Sequence, residues 1–233
     1  MAIKLESVTK TYDNGVIQTK ALISVNLTIE EGEFVVVLGP SGSGKSTLLN
    51  IMGGLDHPSE GHVTIQEKRL DLMDEKQLTE FRRKHMGFIF QQYNLLQTLT
   101  GTENVELGAY ISKNPMDVNV LIDQVGLSAI KDKYPHQMSG GEQQRISIAR
   151  ALVKRPSVLL CDEPTGALDE TNGKEILKLL QDLNTRYQTT IILITHNPAI
   201  TQIADRVIKM NSGRVIENVI NLEKTDASVL SWS

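Results

Sequence analysis

A chain of 233 residues with 40% hydrophobic and 22% charged residues can bury a sizeable core and has the composition of a globular protein. Its 24 basic and 28 acidic residues give a net charge of −4, which disfavours a nucleic-acid-binding protein because such proteins usually carry a basic face. The single cysteine excludes an internal disulfide, the N-terminus lacks the apolar segment of a signal peptide, and no apolar run approaches the ~20 residues that span a bilayer. We therefore expect a cytoplasmic chain without a membrane span of its own.

The first predicted elements are a half-buried strand, a buried strand and a helix. Apolar residues alternate over residues 21–30, and the continuous apolar run FVVVL at 34–38 is typical of a central parallel strand that is covered on both faces. A glycine-rich loop over 39–44 leads into a helix over 45–52, which two glycines end. Shorter strands are predicted over 62–65 and 87–90.

The rest of the chain predicts helices and buried strands in alternation. Residues 103–126 have a mostly helical pattern with a break near Pro115, residues 139–153 predict a further helix, and residues 176–187 predict an amphipathic one. Strands are predicted over 157–161, 189–195, 206–210 and 214–217. This alternation indicates an α/β fold with a mainly parallel sheet, in which the helical middle, about residues 92–150, forms an inserted subdomain.

The loop between the buried strand and the first helix has the pattern of a phosphate-binding loop. It matches G-x-x-x-x-G-K-[ST] completely, with a strand before it and a helix after it. Glycines let backbone N–H groups close around phosphate oxygens, and the helix dipole favours the negative charge. Lys45 is expected to contact the β- and γ-phosphates and Ser46 to ligate Mg²⁺. The candidate nucleotide-binding residues are Gly39, Pro40, Ser41, Gly42, Ser43, Gly44, Lys45, Ser46 and Thr47.

Two adjacent carboxylates follow the strand predicted over 157–161. Asp162 is expected to hold Mg²⁺ through its water shell, and Glu163 to accept a proton from an attacking water as a general base. An exposed turn is the alternative, since acidic residues are common after strands, but a complete phosphate loop in the same chain favours catalysis. Cys161 is interpreted as a small buried hydrophobic residue of the strand.

A second glycine-rich helix start, MSGGEQQR, lies at 138–145. Ser139 and Glu142 have the spacing of a capping box, in which the serine accepts from an N–H three residues on and the glutamate reaches back. A capped helix start still presents N–H groups and a positive dipole end, so capping and anion binding are compatible. Because a carboxylate aimed at a phosphate would be repelled, we expect Glu142 to turn back toward its own helix start.

This second motif resembles the signature motif of the ATP-binding-cassette (ABC) ATPases. TGALDE at 165–170 resembles their D-loop, and ITHN at 194–197 places a histidine like their switch histidine. Gln91 matches their Q-loop, and Tyr12 matches the aromatic residue that stacks on adenine. The motifs follow the family's order over essentially the whole chain, and GFIFQQYNLL, MSGGEQQRISIARAL and DEPTGALD look most like the MacB/LolD/FtsE-type branch.

The resemblance implies a P-loop NTPase with a mainly parallel, RecA-like core sheet, an N-terminal antiparallel β subdomain and an inserted α-helical subdomain. A single ABC ATPase domain would then cover residues 1–233. Its core and β subdomain would occupy about 1–91 and 151–233, and its helical signature subdomain about 92–150.

The resemblance also implies that two copies meet head to tail with two ATP molecules between them. The loop at 39–47 of one copy would bind the triphosphate and the signature of the other copy would close on its γ-phosphate, so one chain carries two half-sites. Glu163 would orient or deprotonate water, His196 would hold the γ-phosphate, and Gln91 would sense Mg²⁺ and the water. Further residues expected at the ATP are Ser139, Gly140, Gly141, Glu142 and Asp169, and those expected at the Mg²⁺ are Ser46, Gln91 and Asp162.

A subunit without a membrane span must dock on an integral membrane permease to drive transport. In the family the segment after Gln91 receives the permease. The apolar residues that could form a groove for it here are Tyr93, Leu95, Leu96 and Leu99. Ordinary packing of these residues within the helical subdomain is the alternative. The basic run at 82–85 favours a solvated face over a lipid contact. Leu230 and Trp232 are expected to belong to a surface-docked end rather than to touch a partner.

The predicted function is ATP hydrolysis by a subunit at the cytoplasmic face of a bacterial cell membrane. The MacB-like branch indicates efflux of antimicrobial peptides or macrolides, with a permease and in some cases a membrane-fusion adaptor protein. An FtsE-like or LolD-like motor, which acts on cell-wall hydrolases or lipoproteins, is the alternative. A DNA-repair ATPase is disfavoured because it requires a long coiled-coil insertion, and the sequence has no sustained heptad run.

Overall fold

The computed structural model describes residues 1–13, 15 and 17–232. In this part of the chain the strands are β1 (Ile3–Asp13), β2 (Gln18–Ile29), β3 (Phe34–Leu38), β4 (Glu60–Ile65), β5 (Lys68–Arg69), β6 (Met86–Phe90), β7 (Val158–Asp162), β8 (Thr190–Thr195), β9 (Arg206–Asn211) and β10 (Arg214–Ile220). The α-helices are α1 (Lys45–Met52), α2 (Glu75–His85), α3 (Gly101–Tyr110), α4 (Val118–Gln124), α5 (Gly140–Leu152) and α6 (Glu170–Tyr187). Short 3₁₀-helices occupy Leu70–Leu72, Pro135–Gln137, Pro198–Ile203 and Ala227–Val229.

The larger sheet has six strands in the order β10-β9-β3-β8-β7-β6, and β3, β7 and β8 at its centre are almost entirely buried. Its strands pair in parallel except for β10, which is antiparallel to β9. Leu38 at the end of β3 pairs with Thr195 of β8. Asp162 at the end of β7 pairs with Ile194 and with Phe90. The carboxyl ends of four strands therefore lie at one edge of the sheet, and the loops that leave them meet there.

The side chains of β3 show why this strand is apolar at every position. Phe34 and Val36 belong to a buried cluster that includes α5 and α6, whereas Val35 and Val37 belong to a second cluster with α1 and the strands β1 and β2. Successive strand residues point to opposite faces, so a strand that is covered on both faces has no polar side. The predicted α/β fold with a mainly parallel sheet is confirmed.

The second sheet is antiparallel and has the order β2-β1-β4-β5. The sequence does not predict β1, and the alternation over 21–30 marks only the later part of β2. The ladder between β1 and β2 shifts register between Leu5 and Val8 and again around Lys10. Such irregularities break the period-2 pattern that identifies a strand, and Ser7 and Ser24 adopt positive φ in this region.

The helices α3, α4 and α5 pack on one another beside the six-stranded sheet. The predicted break near Pro115 is confirmed, because α3 ends at Tyr110 and α4 begins at Val118. The division of the chain into a core and a helical subdomain at about residues 92–150 remains a prediction. Among the helices in the described ranges, none combines the length and the apolar character needed to cross a membrane.

The sequence also does not predict α2. This helix buries only Leu78 and Phe81, so its apolar stripe is too narrow to stand out from a very polar sequence. Its last turn carries the basic run at 82–85, of which two side chains are exposed and two are half-buried. Arg82 donates to the carbonyl oxygen of Gly54 at 2.5 Å. The prediction of a solvated face is therefore correct for only half of this run, because Arg82 and His85 pack against the protein.

The C-terminal segment packs on α6 of its own chain. Leu230 is buried, and Trp232 lies so close to Gly173 that a Cβ at that glycine would overlap the indole ring. Lys178 of α6 donates to Asp226 at 2.8 Å and reinforces this contact. The expectation of a surface-docked end is confirmed for the residues up to Trp232.

Candidate functional site

The glycine-rich loop over 39–44 connects the carboxyl end of β3 to the start of α1. Gly44 has a φ of 101°, and a Cβ at this position would lie 2.4 Å from the carbonyl oxygen of Ala21. Only glycine meets both conditions. No side chain caps the N-terminus of α1, so the first N–H groups of this helix lack the usual side-chain acceptor. The loop and the helix start together provide donors for an anion.

Two buried polar side chains belong to this loop and to the first residue of α1. Lys45 is 7% exposed, and its Nζ donates to the carbonyl oxygens of Gly39 at 2.7 Å and of Pro40 at 3.0 Å. The hydroxyl of Ser43 is buried and has no hydrogen-bond partner among the described residues. A buried hydroxyl without a partner is costly, and a bound phosphate oxygen would accept a hydrogen bond from it. The loop therefore fits a phosphate group.

The acid pair lies at the carboxyl end of β7, where Asp162 is the last residue of the strand and Glu163 follows it. Burial and the neighbouring charge of Glu163 raise the pKa of Asp162, while the ammonium of Lys45 acts in the opposite direction. Glu163 has a φ of 46°, which is uncommon for a residue with a side chain, and its N–H donates to the carbonyl oxygen of Ile194 at 3.1 Å. Strained backbone of this kind occurs preferentially at functional sites.

Glu163 and His196 form a close pair. Oε2 of Glu163 lies 2.8 Å from Nδ1 of His196, because β7 and β8 are neighbours and these residues follow the ends of the two strands. The histidine side chain remains 67% exposed, so its ring can also reach a ligand. A carboxylate paired with an imidazole can orient a water molecule and accept its proton.

These groups surround one cleft with a volume of about 770 Å³. Gln91 follows β6 and completes the cleft beside Gly166, where an added Cβ would lie 2.9 Å from Nε2 of the glutamine. The predicted residues that line the cleft are Ser41, Gly42, Gly44, Lys45, Ser46, Thr47, Gln91, Glu163 and His196. The structure thus brings the predicted phosphate loop, general base, histidine and glutamine together.

Five residues that the sequence analysis does not identify also line this cleft, namely Thr19, Lys20, Ala21, Ser212 and Gly213. The N–H of Gly213 donates to the carbonyl oxygen of Ser43 at 3.0 Å, and the N–H of Ile23 donates to the carbonyl oxygen of Gly213 at 2.8 Å. The turn between β9 and β10 therefore joins β2 to the phosphate loop. The sequence signals this turn through Asn-Ser-Gly, but it does not signal what the turn contacts.

Tyr12 lies near the end of β1, at the edge of the candidate site. Its ring is 42% exposed, and its hydroxyl donates to Oδ2 of Asp56 at 2.8 Å. Burial and the bond to Asp56 raise the pKa of this hydroxyl, and a hydrogen bond with Thr47 of the phosphate loop acts against them. The predicted adenine-stacking residue is therefore close to the loop, and its stacking role remains a prediction.

The second glycine-rich helix start has a different construction. The Oγ of Ser139 accepts from the N–H of Glu142 at 3.3 Å, and Oε2 of Glu142 accepts from the N–H of Ser139 at 2.6 Å. The predicted capping box is confirmed, and so is the expectation that Glu142 turns back toward its own helix start. The carboxylate satisfies a donor of α5 instead of facing outward.

The start of α6 contacts this second helix start. Asp169 accepts from the N–H of Asn172 at 3.0 Å and from its Nδ2 at 2.6 Å, and a Cβ at Gly141 would lie 2.8 Å from Oδ1 of Asn172. Neither residues 139–142 nor Asp169 are among the described residues that line the cleft. Within one copy the structure therefore keeps the signature apart from the phosphate loop, and the roles of these residues at a nucleotide remain predictions.

The predicted Mg²⁺ residues are compatible with a metal that is bound together with phosphate. Ser46 and Gln91 line the cleft, and Asp162 ends β7 beside Lys45. Their hydroxyl, amide and carboxylate oxygens suit Mg²⁺, which usually keeps water and phosphate oxygens in its shell. The described residues contain no group of three His, Cys, Asp or Glu side chains that could hold a metal by themselves.

The prediction of an apolar groove after Gln91 is partly wrong. Leu95 is only 7% exposed because it packs in the main core cluster, Tyr93 and Leu99 are half-buried, and Leu96 is 50% exposed. The apolar surface continues instead along α3, where the exposed side chains are Leu107, Tyr110 and the adjoining Ile111.

A family model described as ABC transporter matches residues 22–166. The chain is 42% identical, over 99% of its length, to the putative ABC transporter ATP-binding protein MG065 homolog of Mycoplasma pneumoniae, and it spans about half (50%) of that relative's length. It is 43% identical, over 93% of its length, to the macrolide export ATP-binding/permease protein MacB of Rhodospirillum rubrum, of which it covers 34%.

A solved structure has the same fold. The dimeric post-hydrolysis state of the ATP-binding cassette MJ0796 of Methanocaldococcus jannaschii, bound to ADP and Pi, aligns with a TM-score of 0.85 and 41% identity. The alignment covers 94% of this chain and 98% of that chain. This match confirms the predicted P-loop NTPase architecture with an antiparallel β subdomain and accompanying helices.

Proposed function

This chain belongs to the ABC transporter family of ATP-binding proteins, and we propose that it hydrolyses ATP as a subunit that dimerises on ATP and drives a membrane permease. The observation that carries the proposal is the cleft in which the phosphate loop, Gln91 and the close pair of Glu163 and His196 meet. A triphosphate held by the loop would place its γ-phosphate beside that pair.

The proposed reaction is ATP + H₂O → ADP + phosphate. Lys45 exchanges its two backbone carbonyl partners for β- and γ-phosphate oxygens, and the hydroxyl of Ser43 gains an acceptor. Glu163 orients the attacking water and accepts its proton. His196, whose Nδ1 lies 2.8 Å from Oε2 of Glu163, contacts the γ-phosphate. Bound Mg²⁺ would neutralise charge on the phosphate oxygens, and its protein partners would be Ser46, Gln91 and Asp162.

A second copy of the chain is proposed to complete each site. The N-terminus of α5 lies outside the cleft of its own copy. Ser139 is exposed there, Gly140 is half-buried and Gly141 is buried, so Ser139 is the residue most accessible to a partner. A two-fold, head-to-tail dimer would place each signature over the partner's phosphate loop. Asp169 would link the two sites, since its hydrogen-bond partner Asn172 lies against Gly141. The dimeric state of the MJ0796 structure supports this arrangement.

The permease is proposed to contact the exposed side chain of Leu96 together with the outer face of α3. Leu107, Tyr110 and Ile111 have the i, i+3, i+4 spacing of one helix face. Arg150 of α5 donates to the carbonyl oxygens of the segment that follows Gln91, at 2.6 and 2.9 Å. A displacement of this surface would therefore reach both Gln91 and α5.

From the resemblance to the MacB-like branch we propose that the cargo is an antimicrobial peptide, a macrolide or a similar compound that is exported from the cell. The chain itself would act at the cytoplasmic face of the membrane. The name of the R. rubrum relative, which combines an ATP-binding part with a permease, supports this assignment. An FtsE-like or LolD-like motor is the alternative. The membrane protein that co-purifies with the chain distinguishes them, because a permease with a large extracytoplasmic domain and an adaptor protein indicates efflux.

The variant Glu163→Gln tests the function directly. It should bind ATP with near-wild-type affinity, lose about 100-fold or more in turnover, and accumulate as an ATP-bound dimer in size-exclusion chromatography. The matched control is Glu80→Gln, an exposed carboxylate of α2 that pairs with Arg83 at 2.8 Å and does not line the cleft, and it should behave as wild type. Wild-type turnover by Glu163→Gln would refute the general-base assignment.

A further inference from the structure

Tyr12 is held by two residues that the sequence motifs do not connect with it. Oδ2 of Asp56 accepts from the hydroxyl of Tyr12 at 2.8 Å, and Oδ1 of Asp56 accepts from Nζ of Lys10 at 2.5 Å. Nζ of Lys10 also donates to the carbonyl oxygen of His57 at 2.8 Å and lies over the Tyr12 ring, 4.9 Å from its centroid. Tyr12, Lys10 and Asp56 thus form one connected cluster, which we call the Tyr12 clamp.

The clamp connects the end of β1 to the phosphate loop through a rigid element. α1 begins at Lys45 in the loop and ends at Met52, and the chain then turns so that the N–H groups of Leu55 and Asp56 both donate to the carbonyl oxygen of Asn50, at 2.9 and 3.3 Å. The position of Asp56 is therefore set by the far end of the same helix that begins at the phosphate site. A ring attached to Asp56 has a defined position relative to the loop.

The clamp restricts the Tyr12 ring while leaving part of it accessible. The hydroxyl is bound and one face carries the Lys10 ammonium, yet the side chain is 42% exposed. A cation is attracted to the negative face of an aromatic ring, so Lys10 holds the ring from one side. A planar ligand would then stack on the opposite face. Burial opposes the charge of Asp56, but hydrogen bonds from Lys10, Tyr12 and the N–H of His57 hold the pKa of this carboxyl below its ordinary value. The carboxylate is therefore ionised at neutral pH.

We propose that Asp56, together with Lys10, is a positioning residue that holds Tyr12 ready to stack on the purine base of a nucleotide. A ring that is already ordered loses little conformational entropy when a ligand binds. The clamp therefore raises the affinity for nucleotides over inorganic triphosphate. This inference rests on the proposed function, in which the ligand of the cleft is ATP. A purely structural clamp, which only joins β1 to α1, is the competing explanation.

The test uses two variants that break the same bond, Tyr12→Phe and Asp56→Ala. Equilibrium binding of ATP and of inorganic tripolyphosphate to the full chain is measured by titration calorimetry. Each variant should weaken ATP binding about three- to tenfold and leave tripolyphosphate binding unchanged, because tripolyphosphate has no base to stack. The KM for ATP should rise by the same factor at constant kcat. The double variant should be no weaker than Asp56→Ala alone, since residues that act through one bond are not additive.

The matched control is Glu6→Ala, which removes another lysine–carboxylate pair on β1, with Lys4 at 2.7 Å, and should leave both affinities unchanged. Equal weakening of ATP and tripolyphosphate would establish the structural explanation, and an unchanged ATP affinity in both variants would also overturn the proposal. Tyr12→Phe removes one hydroxyl from a partly exposed ring, so it tests the clamp even if Asp56→Ala fails to fold. A wild-type chain that binds neither ligand would contradict the proposed function itself.

Discussion

The helix starts at α1 and α5 are both rich in glycine, but they differ in how their N–H groups are satisfied. α1 follows Gly44, which has no side chain to offer, whereas α5 follows Ser139 and has a complete capping box with Glu142. Among the six α-helices of the described chain, α1 is the one without a side-chain cap, since the others begin after Asp74, Thr100, Asp117, Ser139 and Asp169. A helix start without its own cap keeps its donors for a ligand.

The comparison shows that glycine content alone does not distinguish an anion site from a structural helix start. The residue at the N-cap and the residue three positions into the helix make the distinction. At α5 the chain satisfies its own donors, so a single copy should gain little from an anion there. We expect α5 to contribute to nucleotide binding only when a second copy delivers the phosphate to it.

The largest expected effect comes from the α1 side of this comparison. Lys45→Met removes the buried ammonium at the start of α1 and should weaken ATP binding by about two orders of magnitude, because the charge proposed to pair with phosphate would be lost. Titration with a fluorescent ATP analogue measures this. Lys76→Met, at an exposed lysine in the first turn of α2, is the control and should bind as wild type. Equal affinity in both variants would remove α1 from the nucleotide site.

An intermediate effect is expected at α5. Ser139→Ala should reduce ATP-driven dimerisation about tenfold while leaving ATP binding by the single copy unchanged, and it should cost about 1 kcal/mol of stability through the lost cap. Thr100→Ala breaks the equivalent capping box of α3 with Glu103 and is a matched control for that stability loss. Analytical ultracentrifugation with ATP measures the dimer. If both variants lose dimerisation equally, α5 has a structural cap and no role in the partner's site.

A smaller effect is expected when the charge at α5 is removed and its cap is kept. Glu142→Gln preserves the capping box, because glutamine makes the same bonds, but it removes a carboxylate that the proposed dimer would bring near the partner's γ-phosphate. We expect ATP-driven dimerisation to become about two- to fivefold tighter, with an unchanged melting temperature. A weaker dimer would show that the carboxylate itself takes part in binding.

The smallest effect concerns two aspartates whose surroundings act in opposite directions. Burial raises the pKa of Asp162 in the folded state. The folded state therefore loses stability relative to the unfolded state as pH rises from about 4 through the native pKa. Asp162→Asn should melt about 1–3 °C higher than wild type at pH 7 and should show no difference below pH 4. Hydrogen bonds from Asn172 lower the pKa of Asp169, so its stabilisation is present above about pH 4 and is lost as pH falls. Asp169→Asn should melt lower than wild type at pH 7 only. Melting curves from pH 3 to 8 check both signs.

Elements with one clear period could be predicted closely. β3 and α1 coincide with the residues predicted over 34–38 and 45–52, and the predicted helix over 139–153 differs from α5 only by its two cap residues. β1 could not be predicted because register shifts interrupt its alternation, and α2 could not because it buries only two side chains. Apolar character alone also could not separate Leu95 from Leu96, of which one is buried and the other exposed.

The sequence by itself determined what depends on neighbours along the chain. The phosphate loop, the cap at Ser139 and Glu142, and the buried strands follow from contacts within a few residues or from a short apolar period. The tertiary structure alone decided which distant residues meet. Glu163 reaches His196 because β7 lies beside β8. Tyr12 reaches Asp56 because the segment that follows α1 runs beside β1, where the N–H of Ser59 donates to the carbonyl oxygen of Thr9. The order and register of the strands determine these long-range contacts, and no local sequence pattern predicts them.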